Sequence, residues 1–148
     1  MIVKTILAAK GGEVVSIEPT ADLVAAAKLL TMRHIGVLVV IDVGGRLVGI
    51  LSERDIMRAL AEKADAALQL SVAEVMTRDV STCGVNDSTA SILKRMTTGK
   101  FRHMPVLDNH RLVGLISIGD IGKQHMETLL NHVRQLDEYI DQISLMKL

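Results

Sequence analysis

A helical pattern of apolar residues is the first regular feature of the chain. Apolar side chains recur at intervals of three and four residues, at Leu23, Ala26, Ala27 and Leu30. This spacing puts them on one face of a helix and predicts an amphipathic helix with a buried stripe. The apolar stretch at 14–17 precedes Pro19 and Thr20, an arrangement typical of a strand followed by the start of a helix.

Two apolar runs with β-branched residues follow this helix, at 37–41 and 47–51. Between them, Gly44 and Gly45 supply the left-handed backbone conformations that a tight turn needs, so the two runs are predicted to form a β-hairpin. A second helix is predicted to begin at Ser52, directly after the hairpin. The predicted order of elements in this half of the chain is therefore β-α-β-β-α.

The second half of the chain repeats the first. The segment 46–56 recurs as 111–121, and both contain the sequence Gly-x-x-Ser-x-x-Asp. Segment 37–42 matches 103–108, and the first copy is one residue longer in its hairpin. Two matching copies in register indicate a duplication. The predicted organisation is a first repeat, a connector with a short helix, and a second repeat with a longer final helix, at 8–65, 66–79 and 80–148.

The final helix is predicted to continue further than its counterpart in the first repeat. Apolar residues keep helical spacing along it, at Met126, Leu129, Leu130, Val133, Leu136, Ile140 and Ile143. Two interpretations stay open for this stripe. The helix either lies on its own domain, or it packs its stripe against a second subunit.

Composition narrows the classes of function. The chain has 148 residues, of which 49% are hydrophobic, enough for a packed core. Its 17 basic and 17 acidic side chains balance, so we expect no overall field that attracts nucleic acid or an anionic membrane. Phe101 and Tyr139 are the only aromatic residues, which removes the stacking platforms of proteins that bind single strands. Nucleic-acid binding is therefore not expected.

Cysteine and histidine usage adds an expected location and excludes one kind of site. The single cysteine, Cys83, permits no intramolecular disulfide, and no apolar run is long enough for a membrane span. Both features predict a cytoplasmic protein without membrane attachment. The five histidines lack the spacing of zinc-ligand pairs, so no metal is expected to be required.

The two repeats resemble a pair of CBS domains, which together form a Bateman module. The resemblance rests on the duplicated Gly-x-x-Ser-x-x-Asp sequence and on segment 102–106, which is similar to the Arg-His-x-Pro-Val segment of the family. It implies an α/β (α+β) fold in which two tandem β-α-β-β-α repeats pack as a pseudo-twofold unit. It also implies clefts that bind adenine nucleotides, a homodimer, and regulation of another protein without catalysis.

Two interpretations apply to the paired serines and aspartates. Ser52 with Asp55, and Ser117 with Asp120, have the spacing of a helix capping box, in which the side chains satisfy backbone N–H groups. A helix N-terminus also attracts phosphate, and the serine hydroxyl can add a donor. In this second interpretation each aspartate accepts hydrogen bonds from the two hydroxyls of a ribose, which is the role that the family resemblance gives these positions.

Cationic residues distinguish the two copies. Arg102 and His103 are predicted to lie at the mouth of a cleft, whereas Gly36 and Val37 stand at the matching positions of the first copy. Arg54 is predicted to pair with a nucleotide phosphate, because a guanidinium group suits bidentate contacts with an anion. For each of these cations, a solvated position on the surface is the alternative.

An adenine ring is expected to need an apolar slot. Candidate walls come from both repeats, namely Ile17, Glu18, Ile35, Gly36 and Val37 in the first, and Thr82, Cys83, Phe101 and Met104 in the second. Pro105, at the end of the Arg-His segment, completes the predicted site. The expected ligand is AMP or a related adenine nucleotide, with ADP, ATP, NAD(H) and S-adenosylmethionine as alternatives. The competing hypotheses are a ligand-independent structural dimerisation module and a detached piece of an enzyme.

Overall fold

The computed structural model describes residues 1–147. The elements of the first half are helix α1 (Val3–Lys10), strand β1 (Ser16–Ile17), helix α2 (Leu23–Arg33), strands β2 (Val37–Ile41) and β3 (Leu47–Ser52), helix α3 (Glu53–Lys63), a 3₁₀ helix (Ala64–Gln69) and helix α4 (Val72–Val75). Those of the second half are strand β4 (Cys83–Gly84), helix α5 (Thr89–Gly99), strands β5 (His103–Asp108) and β6 (Arg111–Ser117), and helix α6 (Ile118–Met146). The predicted β-α-β-β-α order of each repeat is confirmed, and so is the short helix of the connector.

Each repeat folds around its own three-stranded sheet. The strand orders are β1-β2-β3 and β4-β5-β6. In both sheets the first strand runs parallel to the second, and the second pairs antiparallel with the third across a hairpin. Both hairpins carry a register shift at corresponding places, between Val40 and Ile41 and between Val106 and Leu107. The predicted α/β (α+β) architecture of two tandem repeats is thereby confirmed.

The two sheets have separate cores. Each core includes apolar residues that face inward from the sheet and its first helix, namely Leu23, Ala26, Leu30, Leu38, Val40 and Leu51 in the first repeat, and Cys83, Ile92, Met96, Met104, Val106 and Ile116 in the second. The predicted stripe of α2 supplies three of these residues. Alternating side chains of a strand point to opposite faces of the sheet. Both faces of the central strands are buried, since Val37 and Val39 of β2 are 5% and 0% exposed.

Helix α1 packs on the second repeat although it lies at the start of the first half of the chain. Val3 and Ile6, which are 0% and 1% exposed, belong to the core of the second repeat. The Val3 N–H donates to the carbonyl oxygen of Asp87 at 3.0 Å, and the Lys4 N–H donates to that of Val85 at 2.8 Å. This helix was not predicted from the sequence, and residue 8, the predicted start of the first repeat, lies within it.

Helix α6 extends well beyond its own repeat. It spans 29 residues, and near its start His125 Nε2 lies 3.1 Å from Thr89 Oγ1. Further along, its apolar stripe faces solvent, with Leu129 59% and Leu136 61% exposed. The predicted long helix is confirmed, whereas the interpretation in which the stripe lies on its own domain is wrong for the apolar residues of 126–140. Across residues 1–147, no helix combines the length and the apolar character that crossing a membrane requires.

Candidate functional site

Two clefts contain the paired serines and aspartates, and the larger one is lined by both repeats. This first cleft has a volume of about 710 Å³, within the range of about 300–1,000 Å³ typical of small-molecule sites. One wall is formed where β3 ends and α3 begins, and it includes Ser52, Arg54 and Asp55. Another part of the lining is formed where α5 ends and β5 begins, and it includes Arg102 and His103.

Ser52 and Asp55 form a capping box at the start of α3. The Ser52 hydroxyl accepts a hydrogen bond from the Asp55 N–H at 3.2 Å, and Asp55 Oδ2 accepts one from the Ser52 N–H at 2.9 Å. Asp55 is only 7% exposed, and its Oδ1 lies 3.5 Å from the guanidinium of Arg58. The capping interpretation is therefore confirmed. The same bonds hold both side chains at the wall of the cleft in fixed orientations.

The charges around the first cleft are mixed, with cations from both repeats. The cationic side chains are those of Arg54, Arg58, Lys100 and Arg102, and the carboxylates are those of Glu53, Asp55 and Asp79. Within residues 1–147, neither Arg54 nor Arg102 takes part in an ion pair. The first cleft therefore has one guanidinium group from each repeat in its lining, and neither group is paired with a carboxylate of the described chain. The same part of the chain holds no cluster of three or more His, Cys, Asp or Glu side chains suited to a metal ion.

The second cleft is smaller, and a lysine reaches into it. Its volume is about 250 Å³, and its lining includes Ser117 and Asp120 at the start of α6. These two residues form the same capping box as their counterparts, with hydrogen bonds of 3.0 and 2.9 Å. In addition, Lys10 Nζ donates to Asp120 Oδ2 at 2.7 Å and to the carbonyl oxygen of Leu115 at 2.8 Å. The aspartate of this cleft therefore already has a cationic partner within the chain.

The ion pair with Lys10 helps to lower the pKa of Asp120. Burial by itself raises the pKa of this carboxyl group, but the hydrogen bonds from Lys10 and from the backbone of Ser117 outweigh it, so the pKa lies below its usual value. Asp120 is consequently ionised at neutral pH. Its side chain is 25% exposed and that of Lys10 is 34% exposed, so the pair sits at the mouth of the cleft.

His103 lies where the two clefts meet and lines both. Burial lowers the pKa of its imidazole, and the nearby cations of Lys10 and Arg102 act in the same direction. Asp120 and Glu53 oppose this effect without reversing it. His103 is therefore neutral at physiological pH, and it offers one hydrogen-bond donor and one acceptor.

A comparison of the sequence with models of protein families agrees with this geometry. The family model of the CBS domain matches the chain twice, at residues 6–62 and 72–124. The chain belongs to the CBS-domain family. The two matches coincide with the two sheets and their helices, so each repeat is one CBS domain and the pair forms a Bateman module.

Relatives of known sequence or structure share this arrangement. A 17.7 kDa protein of Acidianus ambivalens is 33% identical over 108 residues, which cover 72% of this chain and 64% of the relative, less than two thirds of its length. The crystal structure of the CBS-domain containing protein ATU1752 from Agrobacterium tumefaciens is 42% identical, with a TM-score of 0.83, and the match covers 84% of this chain and 99% of that one. The CBS domain pair of protein MJ0100, solved in complex with 5′-methylthioadenosine and S-adenosyl-L-methionine, is 28% identical, with a TM-score of 0.76, and the match covers 86% and 98% of the two chains.

The CBS pair brings most of the predicted site residues to the two clefts. Those that line a cleft are Gly36, Val37, Ser52, Arg54, Asp55, Arg102, His103, Ser117 and Asp120. Three others line neither cleft. Met104 is fully buried in the core of the second repeat, Pro105 is also buried, and Ile17 packs against the core of the first repeat. Met104 follows His103 on β5, so its side chain points to the opposite face of the sheet, away from the cleft.

Lys10 is one of the residues of the second cleft that sequence reasoning missed, together with Glu13, Val14, Val15 and Leu115. Lys10 is 110 residues away from Asp120 in the chain and lies outside the segments that match between the two repeats, so no motif connects the two. One signal is present in the sequence: Val3, Ile6 and Lys10 are three and four residues apart. This spacing places Lys10 on the helix face that the two buried residues define.

Proposed function

We propose that this CBS pair binds an adenine nucleotide in its first cleft and thereby regulates a partner protein, without catalysing a reaction itself. The observation that carries the proposal is the composition of one cavity. The capped start of α3, with Ser52 and Asp55, and the segment of Arg102 and His103 line one cleft of about 710 Å³, which is large enough for a nucleotide. A nucleotide has a diol, a base and a phosphate, and the cleft offers a group suited to each.

The phosphate end of the ligand is assigned to the cations. Arg54 extends from the first turn of α3 and Arg102 from the segment before β5, and both line the cleft. Guanidinium groups bind phosphate through charge-assisted, bidentate hydrogen bonds. The start of α3 adds a partial positive charge, which favours an anion at the same end of the cleft.

The ribose end is assigned to Asp55. Its Oδ2 accepts one hydrogen bond from the Ser52 backbone, and a carboxylate oxygen has two lone pairs. Arg58 is 3.5 Å from Oδ1, at the limit of a hydrogen bond, and its side chain is 65% exposed. A ribose diol can therefore bond to both oxygens if Arg58 moves toward solvent. The adenine ring is assigned to the remaining part of the cleft, beside Val37 and Val80.

The solved relatives support the adenosine part of this proposal. The CBS pair of MJ0100 was solved with two adenosine-containing molecules, and neither of these carries a phosphate group. The arginines of the present chain are the reason to propose a phosphorylated ligand, AMP or a relative such as ADP, ATP or NAD(H), over S-adenosylmethionine. A ligand-independent structural module is the alternative, and it predicts that none of these compounds stabilises the protein.

We further propose that the chain forms a homodimer, through which the ligand state reaches the regulated partner. The apolar stripe of α6 is exposed, and large exposed apolar patches commonly mark interaction surfaces. A cavity of about 430 Å³ with a mostly apolar lining from α2, α3 and the 3₁₀ helix adds a second such surface. The proposed location is the cytoplasm, where a lone buried thiol such as Cys83 stays reduced.

Thermal unfolding in the presence of single compounds tests the proposed ligand. A compound that binds only the folded state raises the melting temperature, and the rise grows with the logarithm of the ratio of its concentration to its Kd once that ratio is well above one. We expect AMP to raise it more than adenosine does at equal concentration, and inorganic phosphate alone to have little effect. No shift with AMP, ADP, ATP, NAD, NADH or S-adenosylmethionine would contradict nucleotide binding and favour the structural module.

A further inference from the structure

The second cleft contains a side chain of the protein itself where the first cleft is open. The Lys10 ammonium group donates to Asp120 Oδ2 at 2.7 Å and to the Leu115 carbonyl oxygen at 2.8 Å. Helix α1 carries Lys10 and is held in place by Val3 and Ile6, both of which are buried in the core of the second repeat. The lysine is thus delivered to this cleft by a packed helix and not by a loose terminus.

We propose that Lys10 occupies the ribose position of the second cleft, so that each chain binds a single adenine nucleotide, in the first cleft. Lys10 is then the residue that determines the binding stoichiometry of the pair. This inference rests on the function proposed for the first cleft, because it assumes that Asp55 and Asp120 are equivalent ribose acceptors that differ only in what already occupies them.

Acceptor capacity is the first difference between the two aspartates. Asp120 Oδ2 accepts from the Ser117 N–H at 2.9 Å and from Lys10 at 2.7 Å. Each carboxylate oxygen has two lone pairs, so Oδ2 is fully used and a diol finds only Oδ1. At Asp55 the corresponding oxygen accepts only from the Ser52 N–H within the described chain.

The cation beside each aspartate is the second difference. Arg58 lies 3.5 Å from Asp55, belongs to the same helix, and has a side chain that is 65% exposed. Lys10 lies 2.7 Å from Asp120, has a side chain that is 34% exposed, and makes a further hydrogen bond to Leu115. Displacement of Lys10 therefore breaks two short hydrogen bonds, whereas displacement of Arg58 breaks one marginal contact.

The volume and the charge of the second cleft also favour a single nucleotide per chain. The second cleft has about 250 Å³, below the range of about 300–1,000 Å³ of small-molecule sites. It also lacks the cations of the first cleft, because Gly119 stands where Arg54 stands in the first repeat, and Gly36 stands where Arg102 stands in the second. Without the Lys10 side chain, the second cleft gains volume and a free carboxylate, but no arginine.

Binding stoichiometry of the full chain tests the proposal, with AMP as the probe in equilibrium dialysis. We expect the wild type to saturate at one AMP per chain and Lys10→Ala to saturate at two, the second with weaker affinity because its cleft lacks arginines. Lys4→Ala is the matched control, since it removes the same charge from an exposed position of α1 outside both clefts. It is expected to keep one site. Lys10→Gln, which keeps most of the stem that packs beside the cleft, covers the case in which the alanine variant unfolds.

The outcomes separate this proposal from the function on which it rests. Two sites in the wild type, or one site in both folded Lys10 variants, would overturn the role of Lys10 and leave the first cleft as a nucleotide site. No AMP bound by the wild type would overturn both proposals. A second site that also appears in Lys4→Ala would overturn the role of Lys10, because the effect would then follow the charge of the helix and not the contact with Asp120.

Discussion

Arg54 and Arg102 belong to different CBS repeats, yet both side chains line the first cleft. The matching positions around the second cleft are Gly119 and Gly36. The arrangement of two guanidinium groups is therefore particular to one of the two clefts. Phosphate binding can for this reason be separated by mutation from binding of the ribose and the base.

Loss of either arginine should weaken the binding of AMP more than the binding of adenosine. Because hydrogen bonds to charged groups contribute about 1.5–3 kcal/mol, Arg54→Ala and Arg102→Ala are each expected to reduce AMP affinity about tenfold or more. Adenosine, which has no phosphate, should bind almost unchanged. Calorimetric titration of both ligands measures the difference, and AMP affinity should also fall more steeply with salt. Arg111→Ala, at an exposed position outside both clefts, is the control. An equal loss of AMP and adenosine would mean that the arginines shape the cleft and do not bind the phosphate.

Loss of Asp55 should weaken the binding of AMP and of adenosine equally, since both ligands contain the ribose. Asp55→Ala is expected to cost about 1.5–3 kcal/mol of binding free energy. Asp120→Ala is a close control, because both substitutions remove a capping box and each lowers stability by about 1 kcal/mol. We expect Asp120→Ala to bind AMP with almost wild-type affinity. Unchanged affinity in folded Asp55→Ala would leave this residue with a capping role alone.

Stability should decrease as His103 becomes protonated. Burial holds its pKa below the usual value of 6.5 in the folded protein, so the folded state binds fewer protons than the unfolded state does. Stability is therefore lost as the pH falls from about 6.5 through the folded-state pKa. Urea unfolding at about pH 7.5 and about pH 5.5 measures the loss, which should be smaller in His103→Gln. His132→Gln, on the exposed part of α6, should keep the wild-type pH dependence. The same pH dependence in both variants would assign the effect to other groups.

The exposed stripe of α6 should hold two chains together. Sedimentation at micromolar concentration is expected to give a dimer, and Leu136→Glu should shift the equilibrium toward the 16.1 kDa monomer. The physical reason is that association would bury a charge in an apolar contact. Asn131→Glu introduces the same charge on another face of the helix and should leave the dimer intact. A monomeric wild type would exclude the proposed assembly.

Local features of the fold were predictable because their causes lie close together in the sequence. The spacing of Leu23, Ala26 and Leu30 determines a buried helix face, and the glycines after Asp42 determine a hairpin turn. Ser52 and Asp55 are three residues apart, so their capping box follows from the sequence alone. Because the chain contains two copies of the repeat, several of these local patterns occur twice, and the second copy supports the prediction made from the first.

Other features depend on contacts between distant parts of the chain. Lys10 and Asp120 meet because α1 packs on the second repeat, and no local pattern encodes that choice. Met104 is predicted to line the adenine slot as a rough equivalent of the wall residues of the first repeat, but strand alternation directs its side chain into the core. The apolar stripe of α6 likewise lies in solvent because the helix extends beyond the rest of the second repeat. The spacing of its apolar residues does not encode this position.

The packing of α1 also determines the order in which the chain can complete its structure during synthesis. Val3 and Ile6 are synthesised before Ile92 and Ile116, which belong to the same core. At about 5–20 residues per second, α1 waits several seconds before its binding surface exists. The first repeat can close its own sheet in that interval, while the second cannot bury its core until α1 returns to it. While only the first repeat has been made, Val3 and Ile6 therefore lack the core in which the complete fold buries them.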